Sequence, residues 1–222
     1  FPCRRGETTA IIGGTGSGKS TVAALILRFH DATEGALLLN GTDIRQMTQQ
    51  FLRDHLSYVQ QKAWLFSGTI ADNLRYSRKN ATEEELMHAA DVAQAGDFIR
   101  SLPDGLNSHV AQGGTNFSGG QKQRLSIARA LVKKPELYIF DDSFSALDFK
   151  TDAALRHALA AETKDAAVLI IAQRVSSIRH ADQIVVLHEG RMAGIGTHEE
   201  LLTSCKVYQE IYESQTKEAQ EA

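Results

Sequence analysis

The chain has 222 residues, 42% hydrophobic and 23% charged, an ordinary composition for a globular protein. Its net charge of −3 supplies no basic field for nucleic acid, and no apolar run approaches the ~20 residues of a membrane span. Cys3 and Cys205 stand far apart, and neither they nor the histidines have metal-ligand spacing, so they read as reduced thiols and no zinc site is expected.

The opening, Phe1 to Glu7, carries no signal-peptide pattern and runs almost at once into a β-rich stretch, Thr8 to Ile12. The chain reads as a piece of something larger. Next comes Gly13-Gly14-Thr15-Gly16-Ser17-Gly18-Lys19-Ser20, followed by Thr21, which fits G-x-x-x-x-G-K-[ST]. Glycines let backbone N–H groups approach phosphate oxygens, and Lys19 places a compact positive charge on the outer phosphates. The Ser20 hydroxyl suits Mg²⁺, and the helix expected from Ser20 to about Phe29 points its positive dipole end at the same anion. The chain is therefore expected to bind a nucleoside triphosphate.

Ala36 to Leu39 reads as a short strand closed by an Asn40-Gly41 turn, Thr42 to Leu56 as a polar helix, and Ser57 to Val59 as another strand. From about Gly68 to Lys134 helix signals dominate. Thr82-Glu83-Glu84-Glu85 and Ser118-Gly119-Gly120-Gln121 are capping-box starts, the first with acids suited to the helix dipole. In the second helix, Lys122, Gln123, Arg124 and Arg129 read as one solvated face. Apolar strands return at Leu137–Phe140, Ala167–Ala172 and Gln183–Leu187. Thr197 opens a last helix, where His198 reads as a cap-region residue without chemistry, and Glu213 to Ala222 reads as a polar, frayed tail.

The pattern gives an α/β fold: a P-loop NTPase core, with a mainly parallel sheet flanked by helices and an inserted α-helical sub-domain. The expected divisions are residues 1–66, the first part of the core; 67–134, the helical insertion; and 135–222, the second part of the core with the C-terminal helix.

Leu137 to Asp141 is an apolar strand ending in an acid, the Walker B pattern, which places Asp141 as a Mg²⁺ ligand. Ser118-Gly119-Gly120-Gln121 makes a second anion-binding helix start. Together these residues resemble the nucleotide-binding domain of ABC transporters along nearly the whole chain. Gly13–Thr21 looks like Walker A, Gln61 falls at the Q-loop glutamine, and Phe117-Ser118-Gly119-Gly120-Gln121 is similar to the Leu-Ser-Gly-Gly-Gln signature. Asp141 matches Walker B, and Ser145-Ala146-Leu147-Asp148 the D-loop. Leu65 to Leu74 and Leu102 to Leu106 are similar to the exporter branch.

The resemblance implies ATP and Mg²⁺ as ligands, the metal held by Ser20, Gln61 and Asp141. It implies a head-to-tail dimer with a second nucleotide-binding domain on a different chain, each ATP lying between one chain's Walker A and the other's signature. A transmembrane domain outside this chain and a place on the cytoplasmic face of a membrane follow, with no nucleic-acid partner. The catalytic set is Gln61, Asp142 and Gln173.

Two positions depart from the family pattern. Asp142 stands where a catalytic glutamate is usual, its carboxylate roughly 1.5 Å further back, and shifts of that order can cost about 10²-fold in rate. Gln173 stands where a switch histidine is usual; glutamine can donate to a phosphate but cannot shuttle a proton. A third, lesser departure is Gln112, where exporters often carry a glutamate. The expectation is the weak-site half of a heterodimeric exporter, the alternative being tolerated variants in a working ATPase. Two further readings are ATP held as structural glue, and a soluble ABC ATPase, whose usual insertions are not visible. Trp64 reads either as a contact with the membrane domain or as packing. The adenine-stacking aromatic of the family lies upstream of this stretch, and Phe1 is too near the loop to replace it.

Overall fold

A computed structural model describes residues 1–221. The strands are β1 (Thr8–Ile12), β2 (Leu38–Leu39), β3 (Thr42–Asp43), β4 (Leu56–Val59), β5 (Gly68–Thr69), β6 (His109–Val110), β7 (Leu137–Asp141), β8 (Ala167–Ala172), β9 (Gln183–His188) and β10 (Arg191–Gly196). The helices are α1 (Lys19–Ile26), α2 (Gln49–His55), α3 (Ile70–Arg75), α4 (Glu83–Val92), α5 (Gly96–Ser101), α6 (Gly119–Lys133), α7 (Phe149–Glu162), α8 (His198–Ser204) and α9 (Lys206–Glu221). Two compact units result. One comprises Phe1–Ser57, Glu136–Asp142 and the chain from Ala166 onward; the other comprises Tyr58–Pro135 and Ser143–Asp165.

The first unit is built on a sheet of order β10-β9-β1-β8-β7-β4. β1 runs parallel to both β8 and β9, and β7 runs parallel to β8, while β10 returns antiparallel along β9 with an irregularity between Met192 and Gly194. Strands covered on both faces must be apolar on both, which is why β8 is buried at all six positions and β1 at four of five. Each fully buried Ile, Leu or Val stabilises the unit by roughly 1.5–3 kcal/mol. The register aligns Ile12 with Ala172 and Asp141 with Ile171, so the loops that leave β1, β7 and β8 leave at the same end of the sheet.

Several expected elements shift. α1 ends at Ile26 rather than near Phe29, because Arg28 turns to φ 53°. The strand expected over 36–39 shrinks to β2, joined to β3 by Asn40 (φ 51°) and Gly41 (φ 82°), left-handed at both positions as a tight hairpin demands. The helix expected over 42–56 is β3, a 3₁₀ turn and α2, because the Asp43 and Thr48 side chains cap their own following N–H groups and start new elements. β10 and α7 carried no signal that was read. The tail expected to fray from Glu213 is helical in α9 as far as Glu221; its end at Ala222 lies outside the described residues.

In the second unit α3 and α4 pack on α6, whose Leu125, Ile127, Ala128 and Leu131 are buried. Capping boxes at Thr69/Asp72, Thr82/Glu85 and Ser118/Gln121 start α3, α4 and α6, each satisfying two backbone donors that the helix leaves orphaned.

Candidate functional site

The loop between β1 and α1 is shaped by the sheet beneath it. A Cβ at Gly13 would stand 2.3 Å from the Leu187 carbonyl oxygen and 2.5 Å from Ser17 Oγ, so only glycine fits. Gly16 (φ 78°) and Gly18 (φ 101°) turn the chain left-handed, and Ser17 N–H closes the turn onto Gly14 O at 3.2 Å. Gly190 N–H donates to Ser17 O at 3.2 Å, tying the loop to the turn after β9.

α1 begins with no side-chain cap. Its first-turn N–H groups therefore have no partner from within the helix, and Gly14, Thr15 and Gly16 beside them are exposed. Lys19 Nζ donates to Gly13 O at 2.6 Å and Gly14 O at 2.9 Å, folded over the loop it serves. Burial pulls the Lys19 ammonium below its ordinary range, and the Asp141 and Asp142 carboxylates pull it back up. A polyphosphate fits this cradle: uncapped donors, a cation over them, and no side chain above the glycines.

Asp141 ends β7 and Asp142 follows it at φ 45°, with Asp142 N–H donating to Ile171 O at 2.7 Å. Aspartate tolerates the left-handed region better than most residues. Gln173, just past β8, donates from Nε2 to Asp142 Oδ2 at 3.1 Å. Walker A, Asp141, Asp142 and Gln173 thus share the first unit.

The remaining site residues belong to the second unit. Ser118 and Gln121 are spent on the start of α6: Gln121 N–H donates to Ser118 Oγ at 3.2 Å and Ser118 N–H to Gln121 Oε1 at 2.9 Å. Ser118 and Gly119 stay exposed, and a Cβ at Gly120 would sit 3.6 Å from Ala146 O, which sets the signature against the D-loop. Asp148, with which that loop ends, caps α7 by accepting from Thr151 N–H at 3.0 Å and Thr151 Oγ1 at 2.7 Å; these bonds hold its carboxyl below the usual range. Gln61 is exposed, in a loop pinned by Gln123 Nε2 donating to Gln60 O at 3.1 Å.

That bond corrects the expectation of a solvated face on α6. Gln123 is buried, Arg124 Nη1 donates to Gln94 O at 2.6 Å, and Arg129 donates to Asn73 and to Trp64 O. Burial lowers the Arg129 pKa to about 10. The spacing Gln123, Ile127, Leu131 on one helix face could have revealed this.

Trp64 packs, as one of the two readings of the sequence expected. One edge packs 3.2 Å from where a Gly113 Cβ would lie, yet half of the residue (51%) is exposed. Phe66 and Tyr76, stacked at 4.6 Å, are exposed in the same unit. Both cysteines are free thiols.

The profile of the ABC transporter family matches residues 1–145. The chain is 48% identical over 219 residues to an uncharacterised ABC transporter ATP-binding protein of Mycobacterium tuberculosis, covering 97% of this chain and 37% of that protein. It is 44% identical over 208 residues to a putative multidrug export ATP-binding/permease protein of Bacillus subtilis, covering 94% and 36%. A solved structure of a bacterial Atm1-family ABC exporter with ATP bound superposes with a TM-score of 0.93 at 40% identity, covering 97% of this chain and 38% of that one. The chain thus spans little more than a third of the relatives it matches. It belongs to the ABC transporter family, as an ATP-binding domain.

Proposed function

We propose that this domain binds ATP with Mg²⁺, pairs head to tail with a second nucleotide-binding domain, and drives a transmembrane domain from the cytoplasmic face with a weakened hydrolytic site of its own. Gly13 to Thr21 cradle the phosphates, and Lys19 moves from the Gly13 and Gly14 carbonyls to the outer phosphates. Asp141 and Ser20, which share the first unit, would hold the metal, and it would neutralise charge on the phosphate oxygens. Ser118, Gly119, Gly120 and Gln121 serve the ATP of the partner domain. The exposed Trp64, Phe66 and Tyr76 offer an apolar surface to the membrane part.

Hydrolysis forms a bond from water oxygen to the γ-phosphorus and breaks the bond to the bridging oxygen. Asp142 receives the water's proton and Gln173 donates to the γ-phosphate.

The bond between Gln173 Nε2 and Asp142 Oδ2 carries the reading of a weak site. That neighbour, a glutamine, can take up no proton at neutral pH, so it cannot share the work of a base with Asp142. A positioned general base is worth about 10²–10⁴ in rate, and part of that is forgone here.

The test is ATP hydrolysis by the native protein and by the double variant Asp142→Glu/Gln173→His. A nearly silent native protein and a gain of about tenfold or more support the proposal. Brisk native turnover with no gain makes Asp142 and Gln173 tolerated variants. Tight ATP binding with no turnover in either protein favours ATP as structural glue.

A further inference from the structure

The loop that carries Gln173 is held from the far end of the chain. Gln215, on α9, donates from Nε2 to Gln173 O at 2.7 Å and accepts from Val175 N–H at Oε1 at 2.8 Å. One carboxamide thus brackets Arg174 and satisfies the backbone on both sides of it. The 3₁₀ turn Val175–Ser177 has no side-chain cap of its own: Arg174, at its N-cap position, carries donors only. Gln215 supplies the missing acceptor.

The helix that brings Gln215 there is well anchored. Tyr208, two turns earlier on α9, is fully buried, with its hydroxyl 2.8 Å from His198 Nδ1 on α8. Val175, the residue whose N–H is held, is itself buried. Gln173 is exposed, and its own side chain reaches Asp142. The exposed group that faces the reacting phosphate therefore sits on backbone fixed from behind.

We propose that Gln215 is a positioning residue for ATP hydrolysis: through the backbone of residues 173 and 175 it sets the placement of the Gln173 amide against Asp142 and the γ-phosphate. It touches neither substrate nor reacting atoms. Because it grips backbone, the clamp works equally for glutamine or histidine at position 173. The proposal rests on the reading of Asp142 and Gln173 as the hydrolytic pair.

The test uses the full-length exporter, with native Gln173 and with Gln173→His, and single-turnover hydrolysis so that a slow site remains measurable. Gln215→Met keeps length and helix propensity and removes both bonds. The expected result is a single-turnover rate lower by about tenfold in both backgrounds, in line with the cost of small misplacements. ATP affinity and melting temperature stay close to native, and the Val175 amide exchanges at least about tenfold faster. Gln215→Glu, which keeps the acceptor for Val175 but loses the donor to Gln173 O, falls between. A Met variant whose Val175 amide exchanges faster while hydrolysis stays within about twofold overturns the proposal. So does one in which rate, affinity and melting temperature fall together, since that marks a merely structural bond. A native protein that binds ATP in neither background sinks the hydrolytic reading as well, and is recognised by the missing affinity.

Discussion

Gln173 Nε2 lies 3.1 Å from Asp142 Oδ2, so the two residues proposed as the hydrolytic pair are bonded to each other. They behave as a pair, and effects of substituting them should be non-additive. Asp142→Asn should lower single-turnover hydrolysis by about 10²-fold or more if Asp142 is the base, with ATP affinity nearly unchanged. Single-turnover kinetics beside equilibrium binding of ATP separates the two effects. A rate within about threefold of native would remove Asp142 from the catalytic set.

Two neighbouring glycines should respond differently to alanine. At Gly13 a Cβ meets the Leu187 carbonyl oxygen at 2.3 Å, a backbone atom of the sheet; at Gly14 nothing lies within 4 Å. Gly13→Ala should cost about 1–3 kcal/mol in unfolding free energy even without nucleotide, while Gly14→Ala should be close to neutral. Denaturant unfolding of both variants without ATP checks this.

Arg129 is a charge held inside the second unit. Its guanidinium donates to Asn73 O at 3.0 Å, Asn73 Oδ1 at 2.9 Å and Trp64 O at 3.2 Å, and lies 5.4 Å from the centre of the Phe66 ring. Arg129→Ala should destabilise by about 2–4 kcal/mol by removing these bonds to the Asn73 and Trp64 carbonyls, while Asn73 Oδ1 keeps the Phe66 N–H. Arg129→Lys should recover only part of the loss, since an ammonium cannot reproduce the planar fork. Thermal melts of both variants read this.

Tyr208 gives a pH dependence of known sign. Burial first, then the Glu199 charge, pushes its hydroxyl up to about 12 from 10.0. The folded state therefore keeps the proton where the unfolded chain loses it. The associated stability is fully present below pH ~10 and is lost as pH rises toward ~12. Tyr208→Phe should flatten that part of the stability curve and, by removing the bond to His198, cost about 1 kcal/mol at neutral pH. Urea titrations between pH 8 and 12 are the measurement.

The parallel core strands were legible because apolar runs of five or six residues between turn signals have few other readings, and β8 was read to the residue. Capping boxes at Thr82, Ser118 and Thr197 were legible for the same local reason. The arrangement around the switch position was not. Gln215 lies 42 residues from Gln173, and nothing in a polar amphipathic helix marks one glutamine as a clamp. Gln123 was misread because a polar residue on a charged helix is usually solvated; its burial follows from the loop carbonyl it must satisfy.

The central place of β1 has a consequence for synthesis. Its partners on either side are β8 and β9, so a strand that ends at Ile12 finds both neighbours only when His188 has been made. At typical elongation rates of ~5–20 residues per second that interval is roughly 10–35 s. The phosphate loop, made before β8 and β9, stays unseated on the ribosome until both have followed it, and contacts so distant in sequence make its folding slow. A nascent chain therefore cannot hold ATP until it also carries the segments that respond to it.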